Sequence, residues 1–103
     1  MKTYNKLVRD KIPEIIRASG QKPITRILDK AEYLQELIKK LKEELAEFEA
    51  EPSTEELADI QEVVIAIREA FSININELED ARNQKAAKNG RFSKRIYLKG
   101  VRE

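Results

Sequence analysis

Four carboxylates are the residues of this chain best suited to chemistry: Glu44 and Glu47 on one predicted helix, Glu56 and Asp59 on the next. They stand in the runs Glu43-Glu44-Leu45-Ala46-Glu47 and Glu56-Leu57-Ala58-Asp59. Each pair is spaced i, i+3, so its members occupy adjacent turns of one helix face. If the four converge, they repel unless a cation holds them. Oxygen-only ligands suit hard ions, Mg²⁺ first and Mn²⁺ as a substitute. An ion of that kind points toward phosphate chemistry.

The composition narrows the alternatives. The 103 residues contain no cysteine, which excludes disulfides, Cys-zinc sites and thiol catalysis. There is no histidine either, so Ser-His-Asp triads and imidazole bases are absent. Acid-base or metal chemistry must use carboxylates, Lys, Arg or Tyr. No apolar run approaches the ~20 residues needed to span a bilayer. The basic N-terminus lacks the long apolar core of a signal peptide. The expectation is a cytoplasmic protein with no membrane partner.

The net charge of +1 hides a strong asymmetry. Residues 1–30 carry eight basic and three acidic groups, net +5. Residues 31–80 carry four basic and fifteen acidic groups, net −11, and residues 81–103 carry eight basic and one acidic, net +7. An acidic centre between basic ends suits a metal site flanked by phosphate-binding side chains. It equally describes a solvated acidic helix pair with basic tails. The acidic centre argues against a continuous basic footprint, so no nucleic-acid partner is expected.

The elements that must position these carboxylates are helices. Pro13 fits the first turn of a short helix through about Ser19, which Gly20 can end. Residues 21–29 read as a loop around Pro23. The strongest helix runs from about Asp29, a plausible N-cap, to Ala50, with Leu34, Leu37, Ile38, Leu41, Leu45 and Phe48 at three- and four-residue steps. Pro52 breaks it. Ser53 caps the next helix, with Glu56 completing a capping-box pattern, and Leu57, Ile60, Val64, Ile67 and Phe71 form its stripe. A further helix is predicted from an Asn76 cap to about Lys88, ended by Asn89-Gly90. The tail from Arg91 to Leu98 alternates enough for a short strand, which could pair with the brief extended segment at residues 4–8.

Helix angles bias the four acids toward the core. With Leu41 at zero, Glu44 lies about 60° away on the rim of the apolar face, and Glu47 about 120° away. With Ile60 at zero, Glu56 lies about 40° away, inside the stripe, and Asp59 about 100° away. An acid inside an apolar stripe is costly unless paired or metal-bound. Two alternatives stand beside the metal reading. Glu56 closes the capping box with Ser53, or Glu44 and Glu47 form salt bridges around Lys40 and Lys42 on an exposed face.

The two motifs, in order, resemble the all-α nucleoside triphosphate pyrophosphohydrolases, the MazG-like superfamily that includes phosphoribosyl-ATP pyrophosphohydrolase. Its signature, Glu-Glu-x-x-Glu followed one helix later by Glu-x-x-Asp, is matched by Glu43-Glu44-x-x-Glu47 and Glu56-x-x-Asp59. The opening Tyr4-Asn5-Lys6-Leu7-Val8-Arg9-Asp10-Lys11-Ile12-Pro13 and the end Lys85-x-x-Lys88-Asn89-Gly90-Arg91-Phe92-x-x-Arg95-Ile96 look like a small single-domain branch of it. The resemblance covers essentially residues 1–103 as one domain. Two departures are plain: only eight residues separate Glu47 from Glu56, and Arg91 follows Gly90 where this branch often has a second glycine.

The resemblance implies Mg²⁺-dependent hydrolysis of a nucleoside triphosphate to the monophosphate and pyrophosphate, in a house-cleaning or pathway role. Glu44, Glu47, Glu56 and Asp59 would match the metal ligands. Glu43 or Glu47 would take the proton of the attacking water. Lys6, Arg9, Lys85, Lys88 and Arg91 are the candidates for phosphate contacts. The expected fold is all-α: a helical hairpin completed into a four-helix-type bundle by homodimer or homotetramer formation, with short extended termini. The competing expectation is a helical oligomerisation or interaction module without catalysis.

Overall fold

The computed structural model describes residues 1–103. It is all helical: α1 (Ile12–Ala18), α2 (Lys30–Ala50), α3 (Thr54–Ala70) and α4 (Ile75–Asn89). None of these helices is long and apolar enough to cross a membrane. The chain divides into two compact units, Met1–Ser72 and Ile73–Glu103.

In the first unit, side-chain caps set the starts of α2 and α3. The Asp29 carboxylate accepts from the Glu32 amide at 2.9 Å, and the Ser53 hydroxyl accepts from the Glu56 amide at 3.1 Å. Each satisfies an amide that has no partner within its helix. Pro13 lies in the first turn of α1, and Gly20 follows that helix with a φ of 88°, a conformation that costs glycine little. Only Glu51, Pro52 and Ser53 separate α2 from α3. So short a connection returns α3 along α2, and the two helices pack together as a hairpin.

The hairpin contact is small and differs in one respect from the periodicity. Leu37 (4% exposed) and Val63 (8%) are the only buried apolar side chains. The inward face of α3 therefore centres on Val63, about 60° round the helix from the expected Ile60. Leu57, Val64 and Phe71, placed in the stripe by the sequence, stay exposed, as do Ile38 and Leu45 of α2. A stripe this wide has room for two contact surfaces, and its period cannot say which residues face the neighbouring helix.

In the second unit, α4 starts earlier than expected. Asn74, not Asn76, is the cap, and its side chain accepts from the Asn76 and Glu77 amides at 2.8 and 3.4 Å. Ser72, with a φ of 55°, turns the chain just after α3 and leaves Asn74 extended at the cap position. Gly90 (φ 86°) ends α4. The tail is not a strand, and neither are residues 4–8. Arg95 (φ 57°) closes a turn in which its amide donates to the Phe92 carbonyl at 3.1 Å, and Asn5 (φ 47°) interrupts the other segment. A left-handed residue breaks the two-residue alternation a strand requires.

Candidate metal centre

Three of the four sequence-predicted carboxylates meet across the hairpin. Glu44 lies six residues before the end of α2, about 9 Å along its axis. Glu56 and Asp59 lie in the first two turns of α3. The tight Glu51–Ser53 turn sets these levels side by side, and Glu44, Glu56 and Asp59 each place an oxygen within 4.8 Å of the others. Glu47 is outside this trio but adjoins it, because its carboxyl interacts with both Glu44 and Glu56.

The cluster is only partly compensated. Glu44 is 7% exposed, the one buried charged residue of the chain. Its Oε1 is 3.5 Å from the Lys40 ammonium, one turn earlier on α2. Its Oε2 is buried with no donor, and so is Oε2 of Glu56. An unpartnered buried carboxylate oxygen is costly. The capping-box alternative is therefore realised only in part: the Glu56 amide is capped by Ser53, while its carboxylate reaches the cluster. The salt-bridge alternative is also realised in part, since Lys40 approaches both Glu43 and Glu44.

Proton affinities follow this geometry. Burial pushes the Glu44 carboxyl above its ordinary value, and the charges of Glu47 and Asp59 push it further against the pull of Lys40. Glu56 is raised by desolvation first, then by Glu47 and Asp59. Glu43 moves the other way. Its hydrogen bond from Lys6 lowers it, with help from Lys40, and the same bond raises Lys6. Hard carboxylate oxygens gathered this closely, two of them buried without a donor, suit a divalent cation, and Glu44, Glu56 and Asp59 are the residues that could hold one.

The predicted phosphate contacts separate into two groups. Lys6 and Arg9 sit against acids of the hairpin: Lys6 donates to Glu43 at 3.0 Å, and Arg9 donates to Asp59 at 2.8 Å. Arg9 also comes within 3.9 Å of Glu62, one turn beyond Asp59 on α3. Sequence reasoning missed Glu62, although its i+3 spacing from Asp59 was available as a signal. In the second unit, Lys85 and Arg91 line a cavity of about 490 Å³ with Arg82, Asn89 and Phe92. Lys88 is not part of that lining. Arg82, also missed, shares the lining but is paired with Glu79 at 2.7 Å.

No family model matches this chain, and no solved structure matches it. A stretch of 44 residues is 57% identical to an uncharacterized protein of Mycolicibacterium smegmatis (strain ATCC 700084 / mc(2)155). The match covers 43% of this chain and 45% of that relative. The chain thus aligns with less than half of the relative's length, and the relative's description names no activity.

Proposed function

We propose that this protein is a Mg²⁺-dependent nucleoside triphosphate pyrophosphohydrolase of the all-α, MazG-like kind. The observation that carries this reading is the meeting of Glu44, Glu56 and Asp59 within 4.8 Å, with two buried oxygens that have no donor. Glu44, Glu56 and Asp59 would hold the ion, with Glu47 beside them. When bound, such an ion neutralises phosphate oxygens and acidifies water. Mn²⁺ would serve the same oxygen set.

The proton of the attacking water goes to Glu47 in this reading. Glu43, the other candidate base, has two ammonium groups on its carboxylate, Lys6 at 3.0 Å and Lys40 at 3.4 Å. A carboxylate so held is a poor proton acceptor. Glu47 adjoins two acids of raised proton affinity and is itself exposed. Lys6 and Arg9 would meet anionic oxygens from the hairpin side once released from their carboxylates. Lys85, Lys88 and Arg91 are the anion contacts proposed for the second unit, where two of them line one cavity.

Self-association is part of the proposal. Ile38 and Leu45 lie exposed on α2, Leu57 and Val64 on α3 and Phe71 just beyond its end, around a core of two buried apolar residues. A second hairpin on this face would complete a four-helix bundle, as a homodimer or homotetramer. The same exposed face is what favours the second reading, a helical interaction module without catalysis.

Pyrophosphate release from a panel of nucleoside and deoxynucleoside triphosphates with Mg²⁺ separates the two. The enzyme reading expects metal-dependent turnover that disappears in Glu56→Gln. No turnover on any substrate, with no thermal shift on adding Mg²⁺ and nucleotide, would leave the interaction module as the better account.

A further inference from the structure

We infer that Arg9 is an exchangeable counter-cation of the carboxylate cluster, moving from Asp59 to Glu62 when a divalent ion binds. This rests on the cation-site reading above and adds a control built into the same chain.

Of the three clustered acids, Glu44 and Glu56 each keep a buried oxygen without a donor, and Asp59 carries a guanidinium at 2.8 Å. Glu44 is more than nine-tenths buried, so one side of the cluster is a fixed and undercompensated charge. Arg9 is the opposite case. Its side chain is 57% exposed and comes from the segment before α1. An ion pair this exposed is weak and readily exchanged. A divalent ion held by Glu44, Glu56 and Asp59 would place two positive charges close to the guanidinium, and like charges at that range repel.

The structure also supplies an acceptor for the displaced group. Nη1 of Arg9 is already 3.9 Å from Oε1 of Glu62, which lies i+3 from Asp59 on the same helix face. A small rotation of an exposed side chain exchanges one carboxylate for the other, and α3 need not move. Lys6 does not take part in this exchange, because its partner Glu43 is outside the three-oxygen cluster. The resting arrangement thus holds a cation against Asp59, and the bound arrangement leaves Arg9 on the rim with donors free for an anionic ligand.

Calorimetric titration with Mg²⁺ alone tests this on the full chain and its Arg9→Gln, Arg17→Gln, Glu62→Gln and Arg9→Gln/Glu62→Gln variants. Arg9→Gln is expected to bind Mg²⁺ about two- to fivefold more tightly than wild type, the range an exposed ion pair allows. Arg17→Gln removes the same charge from α1 and should gain less. Glu62→Gln should weaken Mg²⁺ binding, and that loss should shrink when Arg9 is already Gln. In the wild type, the Arg9 side-chain Nε–Hε resonance should shift on saturation with Mg²⁺. Equal or weaker Mg²⁺ binding by Arg9→Gln, or an Arg9 resonance that does not move, overturns the exchange and leaves the cation site standing. If neither wild type nor Arg9→Gln binds Mg²⁺, the cation site falls and the exchange falls with it.

Discussion

Glu44 and Glu56 face each other across the α2–α3 hairpin, with an oxygen of each within 4.8 Å and a buried oxygen of each lacking any donor. Two like charges in that position oppose folding, and a cap, a turn and a small apolar contact hold them there regardless. Neutralising one should therefore stabilise the protein while damaging the site. Glu44→Gln is expected to stabilise the metal-free protein by on the order of 1 kcal/mol. For a domain of this size that is a rise in melting temperature of about 4–8 °C. The same variant should lose most of the thermal shift produced by Mg²⁺. Parallel melts with and without the ion check both parts, and a metal-free Glu44→Gln that melts below wild type contradicts the reading of Glu44 as a strained charge.

Stability should depend on pH through the same pair. Glu44 and Glu56 both titrate above the ordinary carboxylate value of 4.5, from burial first and then from Glu47. A carboxyl whose folded pKa is raised binds its proton more tightly in the folded state. Its stabilising contribution is complete below the unfolded value and is lost as pH rises through the folded one. The expected signature is a stability gap between Glu44→Gln/Glu56→Gln and wild type that widens as pH rises from 4.5 upward. Urea unfolding across that window measures it. A gap that stays constant would show that neither carboxyl is perturbed.

Core and stripe substitutions should part company. Leu37 is buried in the hairpin, and Leu37→Ala is expected to cost about 2–4 kcal/mol. Val64 is exposed on the outer stripe, and Val64→Glu should change the assembly more than the fold. Sedimentation of Val64→Glu beside wild type checks this. A wild type that sediments as a monomer at every concentration refutes the self-association proposed for that face.

Ser53 links local capping to the site. Its hydroxyl accepts from the Glu56 amide at 3.1 Å, and Ser53→Ala should cost about 1 kcal/mol through the lost cap. Because Glu56 lies in that first turn, fraying should also weaken Mg²⁺ binding, while an Asp29→Ala change at the start of α2 should affect stability alone. Comparing Mg²⁺ titrations of the two variants tests the distinction, and equal losses of affinity would place the effect in the whole hairpin and not in the first turn of α3.

What was legible from residue order is what short-range physics governs. Asp29 and Ser53 announce their caps, and Pro52 confines the break to a few residues. The i, i+3 spacing of Glu56 and Asp59 puts both on one side of α3, and the expected hairpin brings Glu44 to them. The cap of α4 falls at Asn74 and not at the expected Asn76, next to the turn at Ser72, and no periodic pattern encodes that turn. The tertiary structure alone decided three things. Val63, and not Val64, faces α2, because a wide apolar stripe does not state which edge meets its neighbour. Arg9 pairs with Asp59 fifty residues away, and Lys6 with Glu43 thirty-seven away, because the path of the N-terminal segment over the hairpin depends on packing between distant parts of the chain. The unpartnered oxygens of Glu44 and Glu56 are the third, since a missing donor is a property of everything around an atom and only the folded chain determines those surroundings.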